Sequence, residues 1–138
     1  MSDLVAAELL ARAEAETGLS DWADASFPER FGKAVAHINS IPMDAAGRMA
    51  AAENIHWLLT DRLRFFDDAK RWPLADEVIE RPMFATGEPR SGTTLMHALM
   101  AVDPDSRSLR FWETMHPSPP PGTVEGVDPR LALADAEW

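Results

Sequence analysis

Apolar and polar positions along this chain fall into two regimes, and the change between them predicts two kinds of architecture. Residues 3–17 put Val5, Leu9 and Leu10 on one side of a helix, and Gly18 follows where a left-handed C-terminal residue belongs. "SFPE" (26–29) sets Ser26 three residues before Glu29, the capping-box spacing, and opens a predicted helix to about Asn39. "SIP" breaks it. Over 44–70, Ile55, Leu58, Leu59, Leu63 and Phe66 recur at helical spacing as a predicted buried stripe, and Trp72-Pro73 ends the helix.

The second half changes character. "RPMFATG" (81–87) is a short apolar run closed by glycine, which predicts a buried strand. Residues 92–102 then supply Leu95, Met96, Leu99, Met100 and Val102, a helix apolar over a broad face, with Met96 and Met100 read as core. "DPDS" (103–106) turns the chain, and "SLRFWE" (108–113) reads as a second short strand, with Phe111 and Trp112 as core or pocket wall. "PSPPPG" (117–122) is an extended spacer, and Asp128 and Pro129 suit the N-cap and first residue of a last helix. Strand, Gly-rich turn, helix, turn and strand make a βαβ unit. The fold class expected is therefore α/β: a P-loop-like βαβ start of a parallel sheet (76–138) preceded by an all-helical N-terminal region (1–75). Parallel sheets usually hold about five or six strands, so the chain reads as truncated, the N-terminal part of a larger α/β protein.

Composition narrows the chemistry. With 138 residues and an apolar fraction of 46%, one globular domain with a core is expected. The net charge of −10 argues against nucleic acid as a partner, yet leaves room for a small anion in a locally positive pocket. The absence of cysteine removes disulfides, thiolate nucleophiles and Cys-based zinc sites. The acidic start "MSDLVAAELLARAEAE" lacks the basic, apolar layout of a signal peptide, and no apolar run is long enough to span a bilayer. A cytoplasmic protein is expected.

The candidate chemistry sits in "TGEPRSGTT" (86–94). Gly87 and Gly92 stand at P-loop separation, but Thr93 occupies the place of the P-loop lysine, and the nearby cation, Arg90, lies inside the loop. Gly87 lets the chain leave its predecessor sharply, Pro89 stiffens the turn, and Gly92 admits close approach of a ligand. The first amides of the following helix lack internal partners and carry the positive end of the helix dipole. Ser91, Thr93 and Thr94 add hydroxyls. This is a site for a phosphate-like group.

At these residues the chain resembles the sulfotransferase family, in particular its bacterial branch with an upstream helical region. "PRSGTT" (89–94) is similar to the family's loop for the 5′-phosphosulfate of 3′-phosphoadenosine-5′-phosphosulfate, and "RPMFATGEPRSGTTLMHALMAVDP" extends the likeness. Glu88 departs from the small or apolar residue commoner there. The resemblance implies sulfuryl transfer from that donor, without a metal, to a hydroxyl or amine of a small-molecule or glycan acceptor. Gly87, Pro89, Arg90, Ser91, Gly92, Thr93 and Thr94 would bind the donor, with Arg90 also stabilising charge that develops in transfer.

A base must take the acceptor's proton. In a parallel βαβ unit both strands end on one edge, so the loop after "SLRFW" should face the Arg90 loop. Glu113 stands there and is the first choice, matching one pattern of the family; His116 is the rival. His97 reads as a packing or surface residue; Arg107 and Arg110 could help an anionic cofactor but read first as ordinary surface charge. Two other readings stay open: a variant P-loop kinase or NTPase, and a non-catalytic truncated helical module that self-associates through an exposed sheet edge and apolar helix faces.

Overall fold

A computed structural model describes residues 3–137, and among these every regular element is helical. The helices are α1 (Ala6–Thr17), α2 (Phe27–Ser40), α3 (Ala45–Arg71), α4 (Thr93–Met100), α5 (Phe111–Met115) and α6 (Arg130–Glu137), with a 3₁₀ turn over Leu74–Asp76. No helix among the described residues is long and apolar enough to cross a membrane.

The N-terminal half follows the periodic pattern. Helix α1 packs on both α3 and α2. Their shared core holds Leu9, Ala13, Trp22, Val35, Ile55, Leu59 and Leu63. Gly18 caps α1 in the left-handed conformation (φ 69°), and its N–H donates to the Glu14 carbonyl at 2.8 Å. Asp44 caps α3 by accepting from Gly47 N at 2.7 Å, and Trp72 leaves the helix in extended backbone because Pro73 follows. Two expectations are corrected here. Ser26 stands at the N-cap of α2 but makes no side-chain capping bond; its hydroxyl donates to Asp24 instead, at 2.9 Å. Leu58 and Phe66 do not complete the buried stripe of α3: Leu58 is exposed and Phe66 half-buried. The guanidinium of Arg62 covers the Phe66 and Phe27 rings, 4.7 and 4.1 Å from their centroids.

The expected α/β sheet is absent: among the described residues there is no strand at all. The run 81–87 is irregular and exposed, with Met83 and Phe84 at 67% and 83%. Two local causes act together. Arg81 adopts a left-handed φ of 50°, which interrupts an extended run at its first residue, and Pro82 has no N–H to give a ladder. The run 108–113 is extended only as far as Arg110 (φ −83°, ψ 156°) and then winds into α5. Glu113 drives that change: at the third helical position its Oε2 accepts from Arg110 N at 2.8 Å, half of a capping box. Without a sheet beneath it, α4 buries no residue, so Leu95, Met96 and Leu99 are exposed rather than core.

The chain after α4 turns as expected at 103–106, where Ser106 N donates to the Asp103 carbonyl at 3.1 Å. Helix α5 then packs on α6, and the segment just after α5 reaches α3 through His116 and Ser118. Ser118 Oγ donates to the buried Asp68 carboxylate, and the His116 ring meets Trp57 edge-on at 6.4 Å. Arg130 ties the two ends of the docked segment together. It donates to Asp128 (Nε to Oδ1 2.9 Å, Nη2 to Oδ2 2.6 Å), to the His116 carbonyl (2.8 Å) and to the Pro119 carbonyl, while stacking on Trp112 at 4.8 Å. Trp112 is buried, as its reading as core required.

Candidate functional site

The segment 87–92 is a compact turn that delivers the chain into the N-terminus of α4. Ser91 N donates to the Glu88 carbonyl at 3.1 Å, closing a β-turn with Pro89 at its second position and Arg90, at φ 66°, at its third. Proline followed by a positive φ is the type II pattern, a third position that glycine normally takes. Gly92 is also left-handed (φ 84°, ψ 14°) and forms the N-cap of α4. Two left-handed residues in three fold the turn back on itself. A Cβ built on Gly87 would lie 2.4 Å from Ser91 Oγ and 3.1 Å from Thr93 Cγ2, so a side chain here would displace the Ser91 hydroxyl and press on Thr93.

The capping of α4 matters for anions. A glycine N-cap has no side chain, and α4 receives no side-chain capping bond. The first amides of a helix, here those of Thr93, Thr94 and Leu95, have no carbonyl one turn back to meet. Met96 N is the first to find one, at the Gly92 carbonyl, 3.0 Å away. The turn therefore presents unpaired donors and the positive end of the helix dipole together.

Beside this N-terminus lies a cavity of about 810 Å³. Its lining includes Thr86, Thr93, Thr94 and His97, Arg110, Phe111 and Thr114, the apolar Met83, Phe84 and Leu109, and Asp135 of α6. A second, more polar cavity of about 450 Å³ adjoins it, bounded by Ser106, Arg107, Ser108 and Glu113. His97, Leu109, Arg110 and Phe111 line both.

The sequence-derived site residues divide accordingly. Thr93 and Thr94 line the larger cavity; Gly87, Pro89, Ser91 and Gly92 shape the turn beside it. Arg90 is exposed on the turn and lies outside both linings. Glu113 borders the smaller cavity and is buried, its Oε1 accepting from Arg107 Nη2 at 3.1 Å and its Oε2 from Arg110 N at 2.8 Å. His116 lies at the end of α5 against Trp57, in neither lining. Glu88 is exposed, its carboxylate off both cavities. Sequence reasoning passed over Thr86 and Thr114 and set aside Arg110 and His97, all four of which line the cavity. One signal was available: Arg110 and Thr114 stand four apart, as do Thr93 and His97, the spacing that aligns side chains on one helical face.

Comparisons of the chain with protein-family models, with curated proteins and with solved structures each find no match.

Proposed function

We propose that this chain is a sulfotransferase that takes a sulfuryl group from 3′-phosphoadenosine-5′-phosphosulfate and passes it to a hydroxyl or amine acceptor. The observation that carries the reading is the uncapped N-terminus of α4: a glycine N-cap, a glycine at 87 packed close to Ser91 and Thr93, and paired threonines lining one cavity. These features suit the phosphosulfate end of the donor. The amides of Thr93 and Thr94, with their hydroxyls and that of Ser91, would hold the 5′-phosphate. Arg90, on the same turn, would meet the charge that builds on the leaving oxygen, and Arg110 would face it across the cavity. Bound there, the donor supplies a sulfuryl group already activated by a phosphate leaving group. The turn contributes position and electrostatics, and no lysine is needed because the tail carries less charge than a triphosphate.

Isothermal titration with 3′-phosphoadenosine 5′-phosphate tests the reading. Saturable binding that survives EDTA is expected, and Arg90→Ala should weaken it by about tenfold or more, the loss of one charge-assisted hydrogen bond. Silence at millimolar nucleotide contradicts the reading; binding of ATP only with Mg²⁺ would favour a kinase or NTPase instead. A second reading, self-association of this chain, draws on a different observation: Val78, Ile79, Phe84, Leu95, Leu99 and Val102 are each at least 60% exposed. Sedimentation velocity decides it, since a monomer across a wide concentration range would exclude it.

A further inference from the structure

We propose that His97 takes the acceptor's proton and that the smaller polar cavity beside it receives the acceptor, a neutral polyhydroxylated molecule rather than an apolar phenol or lipid. This rests on the reading of the 87–94 turn as the donor cradle. Donor and acceptor must meet where the two cavities share a wall, and that wall is His97, Leu109, Arg110 and Phe111. Of these four, only the imidazole is a side chain that accepts a proton near neutral pH; a guanidinium stays protonated. His97 lies four residues after Thr93 and three after Thr94 on α4, so it stands one turn beyond the threonines on their side of the helix.

Glu113 borders the same cavity but is committed elsewhere. Both carboxylate oxygens already accept hydrogen bonds, one from Arg107 and one from the backbone that starts α5. Protonating it would forfeit the Arg107 ion pair, so Glu113 acts as a positioning residue. The acceptor class follows from the lining. Ser106 and Ser108 offer hydroxyls, and Arg107 and Glu113 face the space as a neutralised pair. Such a wall matches an uncharged molecule rich in hydroxyl groups, while the apolar walls of Met83 and Phe84 belong to the larger cavity.

The step balances without another reactant. A lone pair on the acceptor oxygen forms the new O–S bond, and the bond from sulfur to the bridging phosphate oxygen breaks. Its electron pair leaves on 3′-phosphoadenosine 5′-phosphate, and the acceptor's proton passes to the neutral His97 imidazole and then to water.

The test uses the whole chain with the phosphosulfate donor and two acceptor probes, methyl α-glucoside and 2-naphthol, with nucleotide affinity measured separately. His97→Gln should leave affinity for 3′-phosphoadenosine 5′-phosphate intact. With methyl α-glucoside it should lower kcat by about 100-fold and erase the acid limb of the kcat–pH profile. Glu113→Gln should keep that limb. An acid limb lost in Glu113→Gln and kept in His97→Gln overturns the assignment, and preference for 2-naphthol overturns the acceptor class. Wild-type chain that binds the nucleotide yet sulfates neither probe overturns this inference alone; wild-type chain that does not bind it overturns the donor reading as well.

Discussion

Gly87→Ala is the most informative single change in the turn. The new methyl would lie 2.4 Å from Ser91 Oγ, 3.1 Å from Thr93 Cγ2 and 3.5 Å from Ser91 Cβ. The first contact is with a short rotatable hydroxyl, which can swing away; the second must give by a few tenths of an ångström, moving the start of α4. Segment 81–92 is exposed throughout, so global stability should change by less than about 1 kcal/mol. Ligand binding should suffer more. The displaced hydroxyl and the shifted Thr93 amide would each lose part of a hydrogen bond to a charged group, together about 1.5–3 kcal/mol, or about a 10- to 150-fold rise in Kd. Calorimetric titration with 3′-phosphoadenosine 5′-phosphate reads this directly. A double-mutant cycle sharpens it: Ser91→Ala removes the 2.4 Å contact and leaves the 3.5 Å one, which is ordinary packing, so the added cost of Gly87→Ala should shrink in that background. Unchanged affinity in Gly87→Ala, or equal penalties in both backgrounds, would refute the reasoning.

Three further outcomes are expected. Leu63, 1% exposed and the largest fully buried side chain among the described residues, should cost about 3 kcal/mol on truncation to alanine, read as a lower midpoint in urea at unchanged slope; a loss under about 1 kcal/mol would contradict its place in the core. The hydrogen bond from His56 Nε2, 2.6 Å from Glu16 Oε2, holds the Glu16 carboxyl below its ordinary value near 4.5, with Arg64 adding to the effect. Its stabilisation is therefore complete above that ordinary value and is lost as pH falls through the lower folded one. Glu16→Gln should flatten the stability–pH curve in that acid window, and a curve that overlays the wild type would exclude the effect. Arg130→Met leaves half-buried Asp128 and the His116 and Pro119 carbonyls without the guanidinium that joins them, and should lower the urea midpoint. Because the clamp secures 116–130, limited proteolysis should cut that segment first; cleavage at the wild-type rate would show that the clamp does not hold it.

The helices of the first half were legible because each carries its own period and its own end signals. Gly18 and Pro73 stop α1 and α3 by local backbone chemistry that no tertiary context overrides. Leu58 was misjudged because the α3 stripe is narrower than a helical count suggests where α1 is its main cover. The second half was misread where short apolar runs stood in for strands, a signal that does not separate strand from exposed coil or helix. Pro82 already weakened the first run, and the Glu113 carboxylate, three residues beyond Arg110, was a helix-start signal inside the second. The turn itself was readable, since Pro89 and Gly92 dictate it residue by residue. The cavity was not. Its walls come from segments 83–86 and 109–114, from Thr93, Thr94 and His97 of α4 and from Asp135, a set that no motif spans.

The central claim, that unpaired amides at the start of α4 cradle a sulfonated nucleotide's tail, is tested most directly by amide chemical shifts. Titrating 3′-phosphoadenosine 5′-phosphate into ¹⁵N-labelled chain should shift Gly92, Thr93, Thr94 and Leu95 saturably, with the side-chain signals of Arg90 following the same isotherm. Shifts that bypass these residues, or none at all at millimolar nucleotide, would contradict it.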